Sequence, residues 1–154
     1  MYLKLEIYRG RAFINIISAK NLPPFDFMGM LNPYVVITVD SSPEINRILS
    51  PSVREKKVKS KVQSGTLFPV WNETFDLDVS NMENTSRIIV KVHDHNTFGK
   101  DHVIGCTSWS LAEIKQSKVD GTYRLHDKEQ GTKFNELISH RVRVDKIVAN
   151  CHTL

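Results

Sequence analysis

Lys57, Lys59 and Lys61 recur at a spacing of two, with Val58 and Val62 interleaved. In an extended strand this period sends all three ammonium groups to one side of a sheet. Lys56 and Arg54 add charge nearby. Such a run suits an anionic surface, where each basic residue contributes about 1 kcal/mol, and it equally suits a solvated face. A second group follows: His93, His95 and His102, interleaved with Asp94 and Asp101. Imidazole and carboxylate both suit zinc, but His93 and His95 share a face only in an extended segment, and a solvated loop collects the same residues. The stretch from Asp94 to Gly99 imitates the start of an EF-hand. Phe98 on a ligand position and Gly105 in place of the bidentate glutamate exclude that motif. Phe25, Phe27, Met28, Met30 and Leu31 crowd one stretch, and Phe98 tips another. Exposed loops seldom gather so many large apolar groups without a use, although some pack back, Phe25 among them.

Catalysis finds no carrier in the sequence. It holds no G-x-S-x-G, no phosphate-cradling glycine loop and no H-E-x-x-H, and Cys106 sits inside a strand pattern. Nucleic-acid binding would want basic residues interleaved with aromatics on one face, which the lysine run lacks. The 154 residues fit one domain with a sizeable core, and 40% hydrophobic with 25% charged residues is an ordinary globular composition. A formal net charge of +4 favours an anionic partner without choosing which. Cys106 and Cys151 stand far apart without metal-type spacing, which points to a reducing, cytoplasmic setting. No secretory signal pattern opens the chain, and no run of about 18 apolar residues is present. The glycosylation-type triplets at Asn72 and Asn84 are therefore expected to go unused.

The elements that must hold these groups read as short strands. Leu3, Leu5 and Ile7 alternate with Lys4, Glu6 and Tyr8, the Arg9-Gly10-Arg11 turn follows, and residues 12–19 form a second strand stopped by Pro23 and Pro24. Residues 34–40, 56–62, 74–79, 88–93 and 103–108 continue the series. Pro69 restricts Phe68 to extended geometry, and Trp71 is suited to anchor the strand behind it. Residues 41–53, with two prolines and four serines, read as a long connection. Ser110 and Glu113 form a capping box on a short helix with Leu111 and Ile114 on one side. Tyr123 to Leu125 and residues 134–144 close the strand count, and residues 145–154 read as a tail. The sum is an all-β antiparallel sandwich with one short helix, in a single domain over residues 1–144.

Leu67-Phe68-Pro69-Val70-Trp71-Asn72-Glu73-Thr74-Phe75 resembles the L-x-P-x-W-N-E-x-F motif of the C2 domain, the membrane-targeting β-sandwich found in protein kinase C and synaptotagmin. Ser18-Ala19-Lys20-Asn21-Leu22, followed by residues 26–35, resembles the first signature of that family. Val92-His93-Asp94-His95-Asn96 with Asp101-His102-Val103-Ile104-Gly105 resembles its second calcium loop. The resemblance covers roughly residues 2–144 and implies eight strands in Greek-key, synaptotagmin-type order. It also implies calcium held by aspartates from two loops at one end. Asp26 and Asp94 stand where the family has aspartates. Asn32 and Asn96 keep a carbonyl oxygen without the charge, His102 replaces a further aspartate, and Asp101 lies beside it. With so little negative charge, Ca2+ dependence is expected to be weak or absent.

Further expectations follow from the same resemblance. Lys59 and Lys61 fall where relatives contact phosphoinositide headgroups, and Lys57 extends that cluster. Phe27 and Phe98 match positions that relatives push into the bilayer, with Met28 beside the first. The expected function is a non-catalytic, monomeric, peripheral membrane module that binds phosphoinositide or phosphatidylserine. A protein-interaction module with inert metal loops is the alternative.

Overall fold

A computed structural model describes residues 1–24, 29–40 and 56–126. The readings placed on Phe25, Asp26, Phe27, Met28, Arg54, the 41–53 connection, the 134–144 strand and the 145–154 tail therefore lie outside the described residues.

Among the described residues eight strands are formed: β1 (Tyr2–Tyr8), β2 (Arg11–Ser18), β3 (Pro33–Asp40), β4 (Lys56–Lys59), β5 (Val70–Asp78), β6 (Arg87–Asp94), β7 (His102–Ser110) and β8 (Val119–Thr122). They make two four-stranded antiparallel sheets, ordered β5-β2-β1-β8 and β4-β3-β6-β7. The core between the sheets is what the period-two patterns foretell: Leu3 and Leu5 from β1, Ala12, Ile14 and Ile16 from β2, and Ile88, Val90 and Val92 from β6 are all buried. In the turn between β1 and β2, Arg9 has φ 48° and Gly10 φ 73°. These left-handed values fit a two-residue hairpin. A Cβ on Gly10 would also lie 2.8 Å from the Ser80 Cβ.

β3 differs from the other strands. All of its residues but Asp40 are buried, and both of its edges are paired, with β4 and with β6. Val35, Ile37 and Val39 point into the core, whereas Tyr34, Val36 and Thr38 form a covered strip on the outer face. Trp71 is 6% exposed, as its anchoring role requires. Beside it Asn72 has φ 50°, and the β2–β5 register shifts between Ile16 and Ser18, so a bulge precedes the regular part of β5.

Two boundaries differ from expectation. β4 ends at Lys59 instead of continuing to residue 62, because Ser60 is buried and its hydroxyl accepts the Val35 N–H at 2.8 Å, ending the regular ladder. The β5-β2-β1-β8 sheet is closed by Val119–Thr122 and not by Tyr123 to Leu125. Val119 is buried opposite Leu5, and Tyr123 instead packs edge-on against Trp109 at 5.0 Å.

The helix α1 (Leu111–Gln116) carries the expected capping box: Glu113 N–H donates to Ser110 Oγ at 3.1 Å, and Ser110 N–H donates to Glu113 Oε2 at 2.6 Å. Ser110→Ala should therefore cost about 1 kcal/mol, read as a lower urea midpoint with an unchanged slope. An unaltered midpoint would show that the cap contributes nothing to α1.

Candidate functional site

Strand alternation brings the β2–β3, β4–β5 and β6–β7 connections to one end of the sandwich, and hydrogen bonds tie them together. Asn32, at the mouth of β3, is the hub. Its backbone N–H donates to Asp94 Oδ1 at 2.7 Å, and its carbonyl accepts from the His95 N–H at 3.0 Å. Its side-chain oxygen accepts the Gly65 N–H at 3.0 Å, and its amide nitrogen reaches the His95 carbonyl at 3.3 Å. Asn96 closes a local turn by accepting the Phe98 N–H at 3.0 Å.

Asp101 braces the β6–β7 loop. Oδ2 accepts the Tyr34 hydroxyl at 2.7 Å, while Oδ1 accepts the Asn96 N–H at 2.9 Å and pairs with His95 Nδ1 at 3.2 Å. These donors, the Asn96 amide first and the Tyr34 hydroxyl second, lower the Asp101 pKa to about 2. Tyr34 moves the opposite way, to about 12, because burial and the hydrogen bond to Asp101 both favour its neutral form. Its ring stacks on His93 at 5.2 Å between centroids, meets His95 edge-on at 6.4 Å and lies 5.5 Å below Lys59 Nζ. Burial, followed by the charge of Lys91, lowers the His93 pKa below the ordinary imidazole value.

Among the described residues, Asn32 Oδ1, Asp94 Oδ1, Asn96 Oδ1 and both carboxylate oxygens of Asp101, which family resemblance offers to a cation, already accept hydrogen bonds within the protein. Asn32 is joined to Asp94 and Asn96 to Asp101, and the two sets meet at His95. A calcium ion here would compete with backbone and hydroxyl donors for those oxygens, with few carboxylates to offset its dehydration. Asp101 is held by Tyr34, a contact that its sequence neighbours do not foretell. His102 sits across the β6–β7 ladder from Asp94. The three histidines do not assemble a zinc site, and among the described residues no group of three or more His, Cys, Asp and Glu is suited to a metal. Asp26 lies outside the described residues.

Lys57 and Lys59 project from β4, and Lys61 follows in the adjoining loop; all three are exposed. Among the described residues no carboxylate comes within ion-pair distance of them. The register adds a residue that sequence reading passed over: Val36 lies between Lys59 on β4 and Lys91 on β6, so Lys91 joins the same outer face. The alternation of Ile88, Val90 and Val92 carried that signal, since it turns Lys91 outward. Lys56 departs from the cluster, its ammonium donating to the Asp78 carbonyl. At the loop tips Phe98 is 98% exposed, whereas Leu31, one of the crowded apolar group, is buried in the core.

Comparison with known proteins agrees with this architecture. A family model described as C2 domain matches residues 10–125. Synaptotagmin-5 of Arabidopsis thaliana is 32% identical over 125 residues, which is 81% of this chain and 20% of that protein. The eye isozyme of protein kinase C from Drosophila melanogaster is 28% identical over 135 residues, 88% of this chain and 18% of that protein. The chain spans about a fifth of the length of these curated relatives. The crystal structure of a C2 domain of RIM from Drosophila shares the fold with a TM-score of 0.61 at 21% identity, over 80% of this chain and 94% of that one. A C2 domain of plant Extended Synaptotagmin 1 gives a TM-score of 0.54 at 25% identity, over 68% and 70% respectively. The chain belongs to the C2 domain family.

The loop wiring has a defined pH response. The folded pKa of Asp101 lies below its unfolded value, so its contribution is complete above about pH 4 and is lost as pH falls toward about 2. Tyr34 has a raised folded pKa, so its contribution is complete below about pH 10 and is lost as pH rises through about 12. Tyr34→Phe should raise the Asp101 pKa from about 2 toward the ordinary carboxylate range, measurable by carboxyl-carbon NMR titration. An unmoved Asp101 would contradict the hydrogen bond.

Proposed function

We propose that this chain is a non-catalytic membrane-docking module, domain-sized over residues 1–144. In this reading it binds anionic phospholipid through the Lys57, Lys59 and Lys61 face, reinforced by Lys91. The observation that carries the reading is that face: exposed cations, without ion-pair partners among the described residues, ranged over a covered strip of Tyr34, Val36 and Thr38. Phosphate oxygens of phosphoinositide or phosphatidylserine headgroups supply the missing counter-charge. Phe98, exposed one turn away from the Asp101 brace, supplies the apolar anchor, with Phe27 and Met28 assigned to the same role by family resemblance. Two such signals are what stable peripheral binding needs. The C2 relatives, synaptotagmins and a protein kinase C among them, support a role in membrane targeting.

Calcium is a secondary partner in this reading. Asp26, Asn32, Asp94 and Asn96 would hold it, with Asp101 and His102 at the margin, and it would bridge the loops to lipid phosphate. The hydrogen bonds already made by Asn32, Asn96 and Asp101 support weak dependence on the ion, with affinity on the order of 10⁻⁴–10⁻³ M or poorer. Restoring charge with Asn32→Asp, Asn96→Asp and His102→Asp should strengthen calcium binding in isothermal titration. No gain would mean that these positions do not converge on one ion.

Lys59→Glu with Lys61→Glu should weaken binding to vesicles containing phosphatidylserine and phosphoinositide by at least about thirtyfold, the equivalent of about 2 kcal/mol for two lost basic contacts. The wild-type affinity should also fall as salt shortens the Debye length from about 10 Å at 0.1 M to about 3 Å at 1 M. Undiminished binding by the double variant would assign the lysine face to solvent.

A further inference from the structure

The outer edge of β1 is covered by β8 along only part of its length. In an antiparallel ladder the exchanged hydrogen bonds recur at every second residue. On the β8 side they fall at odd positions. Met1 N donates to the Tyr123 carbonyl and Tyr123 N–H to the Met1 carbonyl, both at 2.7 Å. Leu3 opposite Gly121 and Leu5 opposite Val119 continue that register. Ile7 comes next, and the same register would set it opposite Ser117. Ser117 is engaged elsewhere: its N–H donates to the Glu113 carbonyl at 2.9 Å and closes α1. β2, by contrast, follows β1 as far as Tyr8. Among the described residues, no strand therefore lies beside the outward N–H and C=O of Ile7.

The vacated position is a groove. A cavity of about 410 Å³ lies there, with Leu5, Ile7, Ile114 and Val119 as its apolar part. Leu5, Ile114 and Val119 are buried members of the core, so the sandwich itself fixes the floor. A backbone donor and acceptor above an apolar floor match an added strand. Main-chain bonds supply affinity in such docking, and the floor selects the side chain that fills it.

The rim selects among such strands by charge. Residues 114–118 read Ile-Lys-Gln-Ser-Lys, with two lysines and no carboxylate. Lys115 Nζ donates to the neutral Asn84 Oδ1 at 2.7 Å. Lys118 and Lys4 share the single carboxylate of Asp120, at 3.2 and 3.5 Å, and the Lys118 side chain is 83% exposed. Lys4, Lys115 and Lys118 thus outnumber Glu6 and Asp120, the two carboxylates lining the groove. A strand running past the end of α1 meets these cations, and carboxylates on it complete the charge. The place matters too. β7 begins at the loop end with His102 and reaches α1 at its other end, so the groove lies at the end of the sandwich away from Phe98.

We propose that the half-open edge of β1 is a peptide-docking site, which takes an extended acidic segment of a partner protein as a strand beside Ile7. An aliphatic side chain of that segment fills the apolar floor, and its carboxylates meet Lys115 and Lys118. The inference is independent of the lipid-docking reading. Because groove and loop tips lie at opposite ends, the chain can hold peptide and bilayer together.

The test starts from random short peptides displayed on phage and selected on the immobilised full chain. Enriched sequences should combine aliphatic residues with aspartate or glutamate. A synthetic peptide of the enriched sequence is then titrated into the isotope-labelled full chain. At saturation, solvent exchange of the Ile7 amide should slow about tenfold or more, and the Ile114 and Val119 resonances should shift. Lys115→Gln with Lys118→Gln should weaken the peptide about tenfold without lowering the melting temperature, since both side chains are exposed. No enriched sequence, or bound peptides that leave the Ile7 amide and the 114–119 resonances unmoved, overturns the inference. An unweakened double variant overturns the acidic class of the partner. Ile7 protection that rises with protein concentration in the absence of peptide assigns the edge to a second copy of the chain and overturns the peptide. Displacement of the peptide by vesicles of phosphatidylcholine and phosphatidylserine assigns the groove to lipid and overturns it as well.

Discussion

The register of β3 is the constraint on which the rest of the molecule depends. Paired on both edges and covered on both faces, this strand has no freedom to slide: a shift by one residue would carry Val35, Ile37 and Val39 out of the core and drive Tyr34, Val36 and Thr38 into it. That single alignment sets Lys57 and Lys59 on one side of the outer strip and Lys91 on the other. It also sets Asn32 and Tyr34, at the start of the strand, where the β6–β7 loop can bond to them. The basic face and the loop wiring are thus consequences of how one buried strand is clamped.

Local pattern and long-range pairing contributed differently to what could be read in advance. The inward faces of β1, β2 and β6 follow from strict alternation, and the Ser110–Glu113 cap from the spacing of two residues, so both were legible in the chain. The short β8 was not: Val119-Asp120-Gly121-Thr122 looks like a turn until Leu5 and its neighbours supply the other half of the ladder. The outward aim of Lys91 was readable from Ile88, Val90 and Val92, but its proximity to the β4 lysines exists only through β3. Asp101 is the plainest case. Read along the chain it is a spare carboxylate beside His102, whereas the fold brings the Tyr34 hydroxyl to it from a strand 67 residues away.

The Asp101 brace gives physical content to the proposed independence from metal. In a loop rich in carboxylates, mutual repulsion is relieved by binding a divalent ion. Here asparagines stand at positions 32 and 96, and the carboxylate of Asp101 is stabilised by an amide, a hydroxyl and an imidazole. In the proposed reading, a loop ordered in this way presents Phe98 without waiting for calcium. The proposed function accordingly assigns lipid attraction to the lysines and apolar tips.

Co-sedimentation with phosphatidylserine and phosphoinositide vesicles, carried out in chelator and again in millimolar calcium, bears most directly on the proposal that docking needs no metal. The expected result is substantial binding in chelator, with at most a small gain in calcium. Binding that appears only when calcium is present would contradict it.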